Sequence, residues 1–213
     1  MKQYFLGIEF GSTRIKAVLL DEKHAIVKSG DYTWKSSLEN GVWTYHMEDV
    51  QEGLRTAIRN LGKLPGKISA MGVSGMMHGY LAFDKDWNLL APFRTWQNTM
   101  TGEAADKLTE AFGFNIPQRW SAAHLYQAVL NGEPHVKNIA HVTTLAGYVH
   151  YLLTGENVLG VGEASGMFPI DSETLTYDAA MLDKFDALMA KYGFDWNIRA
   201  VLPEAVSYTH LRA

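Results

Sequence analysis

Tyr4-Phe5-Leu6-Gly7-Ile8-Glu9-Phe10 runs into Gly11-Ser12-Thr13 and, past Arg14, into Ile15-Lys16-Ala17-Val18-Leu19-Leu20. The first run is β-branched, aromatic or small, the middle is a tight polar turn and the last run is apolar again, which is the signature of a β-hairpin. The polar turn Asp21-Glu22-Lys23-His24 leads to a third strand expected over Ala25 to Ser29, so the chain opens as a meander of antiparallel strands. At the first turn a carboxylate (Glu9), the backbone of Gly11, two hydroxyls (Ser12, Thr13) and a cation (Lys16) converge. That set suits a phosphate: a glycine lets the backbone approach closely, amides and hydroxyls donate to its oxygens, and a carboxylate can hold Mg²⁺ through water. The same residues also suit an ordinary solvated turn, since hairpins use Gly, Ser and Thr routinely.

Downstream, Val50, Leu54, Ala57, Ile58 and Leu61 share one face, with Glu52, Arg55 and Arg59 off it and Gly62 as a stop, which predicts an amphipathic helix packed on the sheet. Ile68 to Ser74 is a nearly continuous apolar run and reads as a strand buried on both faces. Antiparallel strands, a crossover helix and a buried strand describe a mixed α/β sheet. Helices are expected over Gly102 to Phe112, Ser121 to Asn131 and Leu145 to Leu153, with a strand at His141 to Thr144. A last helix is expected over Tyr177 to Tyr192, capped by Thr176 and stopped by Gly193. The residues from Val206 onward show no periodicity.

Two further segments carry candidate chemistry. Gly75-Met76-Met77-His78-Gly79 follows the buried strand, at the end of a sheet where α/β folds place ligands. His78 could bond a sugar hydroxyl while Met77 packs on a carbon skeleton, or His78 is simply a turn histidine. Trp96-Gln97-Asn98 sets an indole beside amides, a pairing that can cover the C–H face of a sugar and read its hydroxyls, although tryptophan more often serves the core. His124, His135, His141 and His150 lack the carboxylate-flanked helical spacing of a zinc site and read as scattered histidines. No Walker loop, G-x-G-x-x-G after a strand or nucleophile elbow occurs.

The 213 residues hold 47% hydrophobic and 20% charged residues and no cysteine. This is ordinary globular composition without a disulfide scaffold or a Cys-ligated metal. Lys+Arg 19 against Asp+Glu 23 gives a net charge of -4, which removes the usual cause of nucleic-acid or anionic-membrane binding. Glu9 interrupts the only apolar run at the start and no run approaches a membrane span, so the expectation is a soluble, cytoplasmic protein.

Taken in order, these pieces resemble the amino-terminal domain of the FGGY carbohydrate kinases, the family of xylulokinases, ribulokinases and glycerol kinases. Glu9-Phe10-Gly11-Ser12-Thr13 with Lys16 matches the family's opening strand and turn, and Met77-His78-Gly79 matches a xylulokinase-like loop. Trp96-Gln97-Asn98 is similar to a Trp-x-Asp element. Leu152-Leu153-Thr154-Gly155-Glu156 and Glu163-Ala164-Ser165-Gly166-Met167 also look like family segments. The resemblance implies an α/β fold of the actin-like, ribonuclease-H-like ATPase type, a mixed sheet with antiparallel first strands and flanking helices. It implies ATP and Mg as cofactors, with Glu9, Gly11, Ser12, Thr13 and Lys16 on the phosphate side and Mg²⁺ held by Glu9 through water. Met77, His78, Trp96 and Asn98 would then meet a small ketose or polyol whose hydroxyl is phosphorylated.

The family's catalytic-base Asp lies in a later Gly-rich loop, so no catalytic residue is expected before Ala213. The resemblance divides the chain into residues 1–205, an incomplete amino-terminal domain, and an irregular tail over 206–213, with the carboxy-terminal kinase domain absent. A sugar is the implied partner, nucleic acid and membrane are not, and a homodimer is compatible with it. Glu9 stands where most members carry Asp, Asn98 where an acid is usual, and His124 and Tyr126 where Lys and Trp are usual, which implies a divergent subgroup with a different sugar. A catalytically inactive sugar- or nucleotide-binding member is the alternative. A relative of actin or the heat-shock ATPases would share the hairpin but not Met77-His78-Gly79 together with Trp96. The chain alone is expected to be inactive, and prone to aggregate through apolar surface near Tyr192, Phe194 and Trp196.

Overall fold

The computed structural model describes residues 2–207. Strands β1 (Gln3–Phe10), β2 (Arg14–Leu20) and β3 (Ile26–Thr33) form the expected antiparallel meander, with Ile8 opposite Ala17 and Glu9 opposite Lys16. The third strand runs to Thr33 rather than stopping at Ser29. Alternation sorts the faces: Leu6, Ile8, Phe10, Ile15 and Ala17 point into a core, while Gly7, Glu9, Lys16 and Val18 face outward. A short hairpin, β4 (Ser37–Glu39) and β5 (Val42–Thr44), precedes α1 (Met47–Asn60). Helix α1 buries Val50, Leu54 and Ala57 against the inner sheet face, as its periodicity predicts.

Strand β6 (Lys67–Gly75) then joins β1 in parallel, giving the order β3-β2-β1-β6 with Phe10 beside Gly75. It is not buried on both faces: Ile68, Met71 and Val73 are only partly covered, and Gly72 and Ser74 are exposed. The cause is position, because β6 pairs only with β1 and its far edge has no strand partner among the described residues. The doubly buried strand is instead β7 (Leu81–Phe83). Tyr80 and Ala82 face a helical core while Leu81 and Phe83 face the sheet core, so this one segment divides the two hydrophobic clusters.

The helical core is built from α2 (Gly102–Phe112) and α3 (Ser121–Leu130), both at their expected positions, and from later elements. Strand β8 (His141–Thr143) pairs with β7, and α4 (Leu145–Thr154) starts at Thr144, whose side chain accepts from the Gly147 N–H. Next come β9 (Val158–Gly160), α5 (Val161–Ala164) and a hairpin of two-residue strands, β10 (Ile170–Asp171) with β11 (Thr176–Tyr177). Thr176 and Tyr177 therefore belong to a strand, and α6 (Ala179–Met189) is capped by Asp178, which accepts from the Met181 N–H. Aspartate outranks threonine as a cap. After α7 (Ile198–Val201), β12 (Glu204–Val206) pairs in parallel with β9. Val206, expected to open the irregular tail, is thus a strand residue, and residues 208–213 lie outside the described residues. No described helix is long and apolar enough to cross a membrane.

Candidate functional site

The parallel register of β1 and β6 brings two predicted segments together. Because Phe10 sits beside Gly75, the Gly11–Thr13 turn and the Met76–Gly79 loop leave the same end of the sheet one strand apart, roughly 5 Å between strand axes. The turn is rigidly held from one side. The Trp34 indole N–H donates to the Gly11 carbonyl at 2.8 Å, the Trp34 backbone N–H to the Thr13 carbonyl at 3.2 Å, and the Tyr45 hydroxyl to the Ser12 carbonyl at 2.7 Å. The Gly11 N–H closes the turn on the Arg14 carbonyl at 2.9 Å, while among the described residues no acceptor takes the N–H of Ser12 or Thr13. The turn therefore has its three carbonyls tied by Trp34 and Tyr45, while two exposed residues keep unpaired N–H groups. Glu9 and Lys16 stand on the outer sheet face with Lys16 Nζ 3.5 Å from Glu9 Oε2, each about half exposed.

His78 adopts a left-handed backbone, φ 68°, and Gly79 follows at φ 90°. A side chain at position 79 would put its Cβ 2.7 Å from the Arg94 carbonyl, so glycine is required there. The His78 Nδ1 lies 3.2 Å from the Gly166 carbonyl. A carbonyl only accepts, so Nδ1 carries the proton, and Nε2 is left with its lone pair. Burial holds the His78 pKa below the ordinary histidine value, which favours this neutral form. The imidazole thus offers an acceptor to a hydroxyl. Met77, its neighbour in the chain, and Trp96, beyond the bridge that joins Tyr80 to Arg94, are exposed apolar side chains, 43% and 47% accessible.

Asn98 departs from expectation. It is 4% exposed, its Oδ1 accepts from the Trp43 N–H at 2.8 Å, and its Nδ2 donates to the carbonyls of Trp43 at 2.8 Å and Thr95 at 3.0 Å. Both amide protons go to backbone carbonyls and the group is buried, so it is turned to the backbone and not to an open surface. Its work is to fasten the β4–β5 hairpin to the Trp96 segment. A continuous set of contacts therefore runs from the turn through Tyr45 and β5 to Asn98 and Trp96.

The two later segments are also tied to each other. Tyr80 and Arg94 exchange backbone hydrogen bonds at 2.8 and 3.1 Å, so the residues after His78 and before Trp96 form one bridge. Beneath it the Arg94 guanidinium pairs with Glu133 and lies over the Tyr80 ring, and the Tyr80 hydroxyl meets His135 Nε2 at 2.9 Å. Burial alone would raise the Glu133 pKa, but the hydrogen bond and charge of Arg94 outweigh it and hold the carboxyl below its ordinary value. His124 stacks near Tyr80, is fully buried, and is pushed down to about 3 by that burial. Among the described residues no group of three or more His, Asp or Glu could hold a metal ion.

Trp34, Tyr45 and Trp43 were invisible to sequence reasoning. The β4–β5 hairpin did have a signal, Asn40-Gly41 between two short strands. Nothing local in the sequence marks Trp34 or Tyr45, whose partners are carbonyls 23 and 33 residues away.

An α/β unit with this meander and parallel fourth strand has the fold of the actin-like proteins, as its structural likeness to sugar kinases shows. Residues 4–192 match the FGGY family of carbohydrate kinases, N-terminal domain, and the chain belongs to that family. It is similar to a xylulose kinase structure from Lactobacillus acidophilus, with TM-score 0.81 and 20% identity over 96% of this chain and 42% of that one. Among curated relatives, glycerol kinase from Thermococcus gammatolerans is 24% identical over 96% of this chain and 43% of its own length. Xylulose kinase from Lactococcus lactis is 23% identical over 97% of this chain and 42% of its own. The chain thus spans less than half the length of these relatives.

Proposed function

We propose that this chain is the amino-terminal part of an ATP-dependent kinase that phosphorylates a hydroxyl of a small ketose or polyol. The observation that carries the reading is the shared sheet end: a turn with free N–H donors lies one strand from a neutral histidine acceptor. Ser12 and Thr13 would donate to phosphate oxygens. His78 Nε2 would accept from a sugar hydroxyl, with Met77 and Trp96 covering its carbon face. Glu9 is a half-exposed carboxylate at the turn whose one charged neighbour among the described residues is Lys16, which fits Mg²⁺ held through water and not a protein cage. When bound, that ion would neutralise charge on the transferring phosphoryl group. No residue of this chain is assigned as the base, and the chain alone is expected to be inactive.

The alternative, a member that binds without catalysis, rests on Glu9 standing where Asp is usual and draws further support from Asn98 standing where an acid is usual. That support weakens, because Asn98 serves as a backbone clamp in this fold. The reading is tested in the full-length protein by steady-state kinetics with each substrate varied. His78→Ala and Trp96→Ala should each raise the sugar KM by roughly tenfold, a loss of the order of 1–2 kcal/mol. Ser12→Ala with Thr13→Ala should weaken the ATP side alone. No turnover with any ketose or polyol would sink the kinase reading, and an unchanged sugar KM in His78→Ala would sink the assignment of that loop.

A further inference from the structure

The sequence contains two Asn-Gly pairs, Asn40-Gly41 and Asn131-Gly132, and the fold treats them oppositely. Asn40 and Gly41 are the two loop residues of the β4–β5 hairpin, with Glu39 opposite Val42, and both are exposed. Their φ values are 49° and 81°, the pair of left-handed residues that a two-residue turn of this kind requires. Around Gly41 the space is open, since a Cβ there would meet nothing within 4 Å. Among the described residues neither the Asn40 side-chain amide nor the Gly41 N–H has a hydrogen-bond partner.

Asn131 ends α3 in right-handed geometry, φ -75°. Its Oδ1 accepts from Gln127 Nε2 at 3.0 Å, its Nδ2 donates to Glu133 Oε1 at 3.2 Å, and the Gly132 N–H donates to the Val129 carbonyl at 3.0 Å. Both reacting groups of this second pair are occupied.

We propose that Asn40 is a site of spontaneous deamidation selected by the fold, and that Asn131 is protected from it. The Gly41 amide nitrogen, having lost its proton to hydroxide, attacks Cγ of Asn40. A new N–Cγ bond forms, the bond from Cγ to the side-chain nitrogen breaks, and ammonia departs with a proton supplied by water, leaving a five-membered imide. Water then opens the ring at one of two bonds. Cleavage at Cγ restores the main chain with aspartate at position 40, and cleavage at the original backbone carbonyl leaves an isoaspartate. Water is the only co-reactant, and nothing is oxidised or reduced. The attack requires the turn to leave its left-handed geometry, and only the exposed tip at Asn40 and Gly41 need move, beyond the Glu39–Val42 pair and ahead of the Trp43 backbone that Asn98 holds.

The modification reaches the candidate site through the hairpin. Loop length fixes strand register, and isoaspartate lengthens the loop by one methylene between Glu39 and Val42, one residue before the Trp43 backbone that Asn98 grips. Either product also sets a second carboxylate beside Glu39, which already meets His46 at 2.9 Å. This inference rests on the fold alone and stands whether or not the kinase reading does.

The test uses the intact chain held folded in mildly alkaline buffer at body temperature, then digested with trypsin. The peptides Ser36–Arg55 and Trp120–Lys137 each contain a single asparagine, so a gain of one mass unit and an isoaspartyl linkage seen by electron-transfer fragmentation report each site separately. In the folded chain Ser36–Arg55 should convert several-fold faster than Trp120–Lys137, and in guanidinium the two rates should converge. No conversion of Ser36–Arg55 in the folded chain, or equal rates for the two peptides in it, overturns the proposal.

Discussion

At position 98 a single side-chain amide joins segments 55 residues apart in sequence. Removing it would leave the Trp43 N–H without a partner, take one of two donors from the Trp43 carbonyl, which keeps the Thr95 N–H, and break the buried bond to the Thr95 carbonyl, and each polar group left unmet away from water is costly. Asn98→Ala should therefore lower unfolding stability by about 2–3 kcal/mol. Asn98→Asp should fare no better: it keeps the acceptor, loses both donated bonds and buries a charge. Urea unfolding of the two variants checks this, and losses below about 0.5 kcal/mol, the range of neutral surface changes, would refute it. The sequence marks 96–98 as a unit worth notice, but it cannot show which way the amide turns. That depends on a hairpin brought in from elsewhere.

Among the elements, the first hairpin and the helices α1 to α4 follow from periodicity and stop signals, because those patterns are local. The clamp on the Gly11–Thr13 turn does not. Trp34 and Tyr45 reach it only after β3 and β5 have been placed, and their rings pack against each other at a tilt of 34° with centroids 4.2 Å apart. Tyr45→Phe keeps that packing and deletes the hydroxyl that bonds the Ser12 carbonyl. The expected cost is about 1 kcal/mol in urea unfolding, the net worth of one hydrogen bond. Hydrogen exchange gives the sharper reading, because the Gly11 amide that closes the turn should lose protection in this variant. Unchanged protection at Gly11 would mean that Tyr45 does not hold the turn.

For the whole molecule, buried titratable groups set a pH profile. His124 is pushed down to about 3 by burial, so from its ordinary value near 6.5 downward the unfolded chain binds a proton that the folded chain refuses. Stability attributable to it falls with acidification, by about 1.4 kcal/mol per pH unit within that window. His78, His135, His141 and His150 are shifted in the same direction, burial leading in each. Glu163 opposes them. Burial raises it to about 7, so the folded chain holds a proton that the unfolded chain releases, and its contribution is lost as pH rises from about 4.5 to 7. The histidines outnumber it, and net stability should rise with pH between about 5 and 6.5. His124→Leu should flatten that rise, since neither ring nitrogen has a partner to lose, and Glu163→Gln should steepen it. Urea unfolding across the window decides, and a slope unaltered in both variants would contradict the account.

What the residues dictated by themselves was whatever depends on neighbours in the chain. The opening meander, the amphipathic α1, the starts and stops of α2, α3 and α4, and the grouping of Glu9, Ser12, Thr13 and Lys16 around one turn are all products of spacing and turn chemistry. Tertiary structure decided the rest, because it concerned partners far apart in sequence. It made β6 a half-covered edge and β7 the strand between two cores, since burial depends on what packs against an apolar run and not on the run. It turned Asn98 inward to a backbone 55 residues away, and it separated two identical Asn-Gly pairs by occupying the hydrogen-bonding groups of one and leaving those of the other to solvent.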